Sequence, residues 1–160
     1  MPHQPANRLA HAANGPFSLG DWSGSLIIPS LDSKPAPRVL IVDDEEPIRT
    51  FADRVLRDAG YETVVAAGGA EALRIVGEPG AVDLLLTDVA MPEMEGTELA
   101  ARVRRVQPSI KVLYLTGRRD LLFHDRKALS EDDSFLEKPV STTALLDSVS
   151  LVLFGHRRGL

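Results

Sequence analysis

The sequence contains no cysteine among its 160 residues. Disulfide bonds, thiolate nucleophiles and cysteine-ligated metals are therefore excluded, whereas a hard cation held by oxygen atoms is not. No apolar run approaches the length of a membrane span, and the N-terminus lacks the basic and apolar blocks of a secretory signal. We therefore expect a cytoplasmic protein that has no membrane partner.

Positive charge is also in deficit, because the formal net charge is −5 at pH 7. Such a chain offers no basic surface to a phosphate backbone, so we do not expect it to bind nucleic acid directly. With 44% hydrophobic residues, the chain can bury one core of ordinary domain size. We expect one domain over 38–154, a flexible N-terminal tail over 1–37 and a short C-terminal tail over 155–160.

Short apolar runs alternate with helical patterns along this domain. The run at 39–42 predicts a buried strand, and Pro47 and Gly60 mark the two ends of an amphipathic helix. Further strands are predicted at 61–66, 82–87, 110–115 and 134–137, and further helices at 70–76, 99–106, 119–129 and after the N-cap Ser141. This alternation indicates a parallel sheet with helices on both faces.

The third predicted helix divides its residues between two faces. Leu99, Val103 and Val106 recur at helical spacing, which predicts an inward stripe. Three arginines lie outside this stripe, and we expect them to form a solvated face: Arg102, Arg104 and Arg105.

Polar residues stand where the predicted strands end: Asp43 and Asp44 after the first, Asp88 after the third, Thr116 after the fourth and Lys138 after the fifth. Parallel strands place their carboxyl ends at one edge, where open α/β sheets bind their ligands. Neighbouring carboxylates would repel one another by about 1–4 kcal/mol a pair, so a cation is needed among them. Oxygen ligands that leave room for water and a phosphoryl oxygen favour Mg²⁺.

A phosphoryl group could be transferred at such an edge. The Lys138 ammonium and the Thr116 hydroxyl would stabilise its charge, which leaves Asp88 as the nucleophile. Taken singly, each residue has an ordinary explanation, because acids favour helix N-termini and Thr-Gly is a common turn. The hypothesis of phosphoryl transfer therefore rests on the predicted grouping of all these residues at one edge of the sheet. The four histidines have no setting typical of a phosphodonor or a metal ligand: His3, His11, His124 and His156.

Five motifs follow one another in a fixed order: IVDDE at 41–45, LTDVAMP at 86–92, a glycine at 96, LTG at 115–117 and EKP at 137–139. By the order of these motifs, residues 38–154 resemble the receiver domain of two-component response regulators. The resemblance extends both to stand-alone chemotaxis-type receivers and to receivers of hybrid histidine kinases. The resemblance implies an α/β, flavodoxin-like, doubly wound (βα)5 sandwich. Its five-stranded parallel sheet would have the order 2-1-3-4-5, with helices on both faces.

The resemblance also implies roles for the acidic residues. Asp88 would accept the phosphoryl group as an acyl phosphate. Asp44 and Asp88 would bind Mg²⁺ directly, Asp43 would bind it mainly through water, and the backbone carbonyl of Ala90 would be a further ligand. Transfer to Asp88 and its later hydrolysis would be self-catalysed reactions of a signalling domain, with no separate substrate turned over.

The same resemblance links the site to a surface. Thr116 and Lys138 would contact the phosphoryl group, and Phe135 occupies the aromatic position whose rotation is coupled to the threonine hydroxyl. The readout surface would comprise the predicted helix at 119–129, the fifth strand and the last helix. The implied partners are a histidine kinase or histidine phosphotransfer protein and a downstream protein, with no output domain in this chain, which would be a monomer or weak dimer.

Two other functions are compatible with parts of the pattern. A Mg²⁺-dependent phosphatase with an aspartyl nucleophile would carry Asp-x-Asp after the first strand, and residues 43–45 read Asp-Asp-Glu instead. A pseudo-receiver would bind a partner without being phosphorylated. Binding alone would not require the full set: Asp43, Asp44, Asp88, Thr116 and Lys138.

Overall fold

The computed structural model describes residues 34–118 and 129–156. The chain divides into two units between Lys34 and Pro35, and the fold below belongs to the second unit. Most of the predicted N-terminal tail, the helix predicted at 119–129 except its last residue, and residues 157–160 of the predicted C-terminal tail lie outside the described residues. The domain boundaries therefore stay predictions.

The described residues form strands and helices in strict alternation up to the fourth strand. In chain order they are β1 Arg38–Val42, α1 Glu46–Asp58, β2 Glu62–Ala66, α2 Gly69–Val76, β3 Leu84–Asp88, α3 Gly96–Val106, β4 Lys111–Thr116, β5 Ser134–Glu137 and α4 Thr142–Phe154. Each had a predicted counterpart. The largest shift is in α3, which begins at Gly96 and not at Leu99, and β3 begins at Leu84 and not at Val82.

The five strands form one parallel sheet in the order β2-β1-β3-β4-β5, as expected. The strand β3 lies in the centre, and all five of its residues are buried. Successive side chains of a strand point to opposite faces, so the sheet contributes to two cores. Leu40 and Leu85 belong to the core beside α2 and α3, whereas Ile41 and Leu86 belong to the core beside α1 and α4.

Local sequence signals set the limits of the helices. Pro47 lies in the first turn of α1, where its missing N–H costs no hydrogen bond, and Gly60 follows the helix with a φ of 93°. At the start of α4, the Ser141 hydroxyl accepts a hydrogen bond from the N–H of Ala144 at 3.1 Å. The predicted N-cap at Ser141 is therefore confirmed.

Two expectations about α3 are wrong. Val106 is 60% exposed, because it lies in the last turn of the helix beyond the end of the buried stripe. Arg104 does not lie on a solvated face, since its guanidinium pairs with the fully buried carboxylate of Asp133. A buried carboxylate needs a counterion, and this need places Arg104 against the turn before β5.

Gly96 allows the first turn of α3 to pack against the end of β3. Its N–H donates a hydrogen bond to the Val89 carbonyl at 2.8 Å. A Cβ at this position would overlap the backbone carbonyl oxygen of Asp88, which cannot move without shifting the strand. The absence of a side chain at Gly96 therefore fixes the direction in which the backbone leaves Asp88.

We predict that Gly96→Ala lowers the free energy of unfolding by about 1–3 kcal/mol, the usual cost of overpacking a buried contact. Urea denaturation followed by circular dichroism measures this. The matched control is Gly77→Ala, where the nearest backbone atom would lie 3.4 Å from the new Cβ and φ is −75°. Equal stability of Gly96→Ala and wild type would show that the strand end tolerates the displacement.

Candidate functional site

Three carboxylates meet at the carboxyl edge of the sheet. Asp43 and Asp44 follow β1, and Asp88 is the last residue of β3, which pairs with β1 in parallel. One oxygen from each carboxylate lies within 4.8 Å of the others. Asp43 is 1% exposed and Asp88 is 7% exposed, whereas Asp44 is open to solvent. The predicted clustering of the acids is therefore observed.

The Lys138 ammonium lies between the two buried acids. Its Nζ is 2.9 Å from Oδ2 of Asp43 and 3.4 Å from Oδ2 of Asp88. The residue follows β5, its N–H donates to the Thr116 carbonyl at 2.9 Å, and its peptide bond to Pro139 is cis. Three ionised carboxylates and one ammonium leave a formal charge of −2 at this edge. That excess matches one divalent cation.

The surroundings raise the pKa of Asp88 and the pKa of Lys138 above their ordinary values. Burial raises the pKa of Asp88 above its ordinary value, Lys138 opposes this rise and the Asp43 charge adds to it. Burial by itself would lower the pKa of Lys138, but the hydrogen bond and charge of Asp43, with the charge of Asp88, raise it above its ordinary value. Lys138 is therefore a firmly protonated cation at neutral pH.

Hydrogen bonds hold Asp43 on several sides. Its Oδ1 accepts the N–H of Glu45 at 2.9 Å, and its Oδ2 accepts Nζ of Lys138. Its backbone N–H donates to the Ala66 carbonyl at 3.3 Å, and its carbonyl accepts Nη1 of Arg49 at 2.7 Å. Both carboxylate oxygens of Asp43 are thus already engaged, which leaves Asp44 as the more open of the two adjacent acids.

Thr116 ends β4, next to Asp88 in the sheet order, and its side chain is buried. Its hydroxyl accepts the N–H of Arg118 at 2.9 Å and donates to the Arg118 carbonyl at 3.0 Å. The hydroxyl is therefore tied to the loop that follows the strand. Ala90 lies at the same edge, in the turn two residues beyond Asp88.

Phe135 of β5 is 41% exposed and packs against Tyr114 of β4. Their ring centroids are 5.3 Å apart with an interplanar angle of 14°, which describes a stacked pair. Tyr114 is fully buried, and its hydroxyl has no hydrogen-bond partner among the described residues. Burial raises the pKa of Tyr114, and the Asp133 charge raises it further. The ring beneath Phe135 is therefore a neutral, fixed support.

The sequence predicted that the acids, Thr116 and Lys138 lie at one edge. It did not predict the contact of Arg49 with Asp43 or the contact of Tyr114 with Phe135. Tyr114 gave a signal as the one aromatic residue in an aliphatic strand. Arg49 gave a signal as a cation in the first turn of a helix, where the helix dipole disfavours positive charge. Neither signal by itself identifies a contact across the fold.

Comparison with known proteins matches residues 39–150 to the family model described as the response regulator receiver domain. The chain is 33% identical over 117 residues to the response regulator receiver protein CpdR of Brucella abortus. This alignment covers 72% of this chain and 96% of CpdR. It is 37% identical over 116 residues to the sensor kinase CckA of the same organism. That match covers 72% of this chain but only 12% of the kinase.

Solved structures show the same likeness. The chemotaxis protein CheY4 of Vibrio cholerae superposes with a TM-score of 0.67 at 32% identity, covering 74% of this chain and 99% of CheY4. The receiver domain of the hybrid histidine kinase CckA superposes with a TM-score of 0.62 at 35% identity, covering 72% of this chain and 98% of that domain. These neighbours confirm the flavodoxin-like fold, and the chain belongs to the response regulator receiver family.

Proposed function

We propose that Asp88 accepts a phosphoryl group from the phosphohistidine of a histidine kinase or a histidine phosphotransfer protein. A carboxylate oxygen of Asp88 attacks phosphorus, the P–O bond forms as the P–N bond breaks, and the departing imidazole nitrogen takes a proton from solvent. The observation that carries this proposal is the ammonium of Lys138 between two buried acids, beside a third acid that is open to solvent. The product is an acyl phosphate on Asp88.

The site fits a Mg²⁺ ion. Its ligand set is all oxygen, its formal charge is −2, and its open side leaves room for water. Asp44 and Asp88 would be direct ligands with the backbone carbonyl of Ala90. Asp43, whose oxygens already accept two hydrogen bonds, would act mainly through water. When bound, the ion supplies positive charge beside the phosphoryl oxygens.

Two side chains of the protein would meet the transferred group. Lys138 already lies 3.4 Å from Asp88 Oδ2, so its ammonium can follow an oxygen of the new phosphoryl group with little movement. The Thr116 hydroxyl would have to exchange its bond to the Arg118 carbonyl for one to a phosphoryl oxygen. That exchange would remove one of the two hydrogen bonds between Thr116 and Arg118 each time Asp88 is modified.

The changed bonding of Thr116 would alter the neighbouring surface. The ring of Phe135 is partly exposed and stacks on Tyr114. A change around Thr116 would therefore alter the position that this ring prefers. A downstream protein would read the surface of residues 119–129, β5 and α4. This is a two-state element biased by a local charge change.

We further propose that the protein works in the cytoplasm as a monomer or weak dimer, without direct contact to nucleic acid. Its composition, without cysteine and with an acidic net charge, supports this setting. None of the helices in the described part of the chain is long and apolar enough to cross a membrane. The relatives named above include a sensor kinase, which supports histidine-based phosphodonors as partners.

We predict one phosphoryl adduct per chain when the protein is incubated with Mg²⁺ and acetyl phosphate, measured by intact-mass spectrometry. Asp88→Ala removes the nucleophile and should give no adduct. The matched control is Asp132→Ala, which deletes an exposed aspartate outside the site and should be labelled like wild type. A chelator should prevent labelling of every variant.

Two results would contradict this proposal in different ways. If wild type takes no adduct, and beryllofluoride also leaves the amide spectrum around Asp88, Thr116 and Phe135 unchanged, the chain is a phosphorylation-independent binding module. If phosphate is released catalytically from acetyl phosphate with many turnovers per minute, the phosphatase alternative is correct.

The raised pKa of Asp88 generates a prediction about stability. Below the pKa of an unfolded aspartate, about 3.9, Asp88 is protonated in both states and adds no penalty. As pH rises from that value through the higher folded pKa, the native state loses this stability, and the loss is complete above the folded pKa. In a chelator at about pH 7, Asp88→Asn should therefore raise the free energy of unfolding by about 1 kcal/mol, the low end of like-charge repulsion at this range.

Urea unfolding at about pH 7 and about pH 4 tests the sign, because the gain from Asp88→Asn should shrink as Asp88 becomes protonated. Asp132→Asn, at an exposed site, should show no comparable gain at either pH. A constant difference between Asp88→Asn and wild type across this range would mean that the substitution acts through packing and not through charge.

A further inference from the structure

Arg49 lies in the first turn of α1, next to the acidic edge, and its side chain folds back toward the end of β1. Its Nη1 donates to the carbonyl oxygen of Asp43 at 2.7 Å. Positive charge in a first helical turn is opposed by the helix dipole. Arg57 of the same helix pairs with the side chain of Asp53. Arg49 instead donates a hydrogen bond to the backbone of the site, and this bond offsets the unfavourable effect of the dipole.

The accepting carbonyl belongs to the peptide unit that joins Asp43 to Asp44. A peptide unit is planar, so fixing its oxygen also fixes the direction of the Asp44 N–H and the path of the backbone into Asp44. The side chain of Asp43 is already held by the N–H of Glu45 and by Lys138. The bond from Arg49 acts on a group that these side-chain contacts do not touch, the carbonyl of the peptide between the two acids.

We propose that Arg49 is a positioning residue of the cation site: by holding the Asp43–Asp44 peptide plane, it presents the Asp44 carboxylate for Mg²⁺. Since it concerns how that ion is bound, this inference rests on the proposed function. Arg49 itself touches neither the ion nor the phosphoryl group. A preorganised ligand loses less conformational freedom on binding, so removal of the brace should weaken the affinity for Mg²⁺.

The sign of the effect separates positioning from simple electrostatics. A guanidinium carries the same sign of charge as Mg²⁺, and through space it repels the ion. If Arg49 acted only through its charge, neutralising it would strengthen Mg²⁺ binding. A positioning role predicts the opposite, a weaker site after loss of the hydrogen bond despite the more negative surroundings.

The test is a Mg²⁺ titration of the 160-residue chain without phosphodonor, followed by the amide NMR signals of the residues around Asp88. Arg49→Met should raise the Kd for Mg²⁺ about 10-fold, the lower end of the range for residues that orient metal ligands. Arg49→Lys retains a donor of similar reach and should recover most of the affinity. Arg54→Met, which removes an exposed guanidinium from the same helix, is the charge-matched control and should not weaken binding.

Urea unfolding in a chelator accompanies each titration, because a merely structural role would change stability and leave the Kd of the folded protein unaltered. Arg49→Gln provides a second neutral variant. If Arg49→Met does not fold, the same criterion for the Kd is applied to Arg49→Gln. An unchanged or lower Kd in the neutral variants overturns the inference while wild type still binds Mg²⁺ and is phosphorylated. If wild type itself binds no Mg²⁺, the proposed function fails and this inference fails with it.

Discussion

The repulsion between Asp43 and Asp88, offset by the ammonium of Lys138, is the constraint on which the rest of the structure depends. Both carboxylates are buried, so neither can be screened by water as a surface acid is. Burying charge is costly unless a partner of opposite sign is close, and Lys138 is that partner for both acids. The compensation is incomplete, because Asp44 adds a third negative charge. The site is therefore built to take up further positive charge.

The parallel sheet makes this arrangement possible. Parallel strands all end at one edge, so residues 95 positions apart in sequence meet there, as the contact between Asp43 and Lys138 shows. Gly96 then lets the chain turn away tightly behind Asp88. Arg104 anchors the turn before β5 by pairing with Asp133, and thereby supports the strand from which Lys138 extends. Packing far from the acids thus helps to hold the ammonium in place.

Neighbouring strands lie between the charged edge and the exposed ring of Phe135. Thr116 is hydrogen-bonded to the backbone of Arg118, and two residues before it Tyr114 supports the exposed ring of Phe135. Thr116 and Tyr114 lie on β4, and Phe135 lies on the adjacent strand β5. Under the proposed function, a change in charge at Asp88 would reach the surface through Thr116 and Phe135. The buried ring of Tyr114 gives the exposed ring of Phe135 a stacking partner.

The sequence by itself determined the alternation of strands and helices, their approximate limits, and which polar residues stand at strand ends, because hydrophobic period, proline, glycine and capping residues act locally. From these, the meeting of the acids with Thr116 and Lys138 followed by topology. The tertiary structure alone decided the pairing of Arg104 with Asp133, the stack of Tyr114 on Phe135 and the bond from Arg49 to Asp43. The physical reason is that long side chains choose partners by distance and burial across the fold, and no local period encodes that choice.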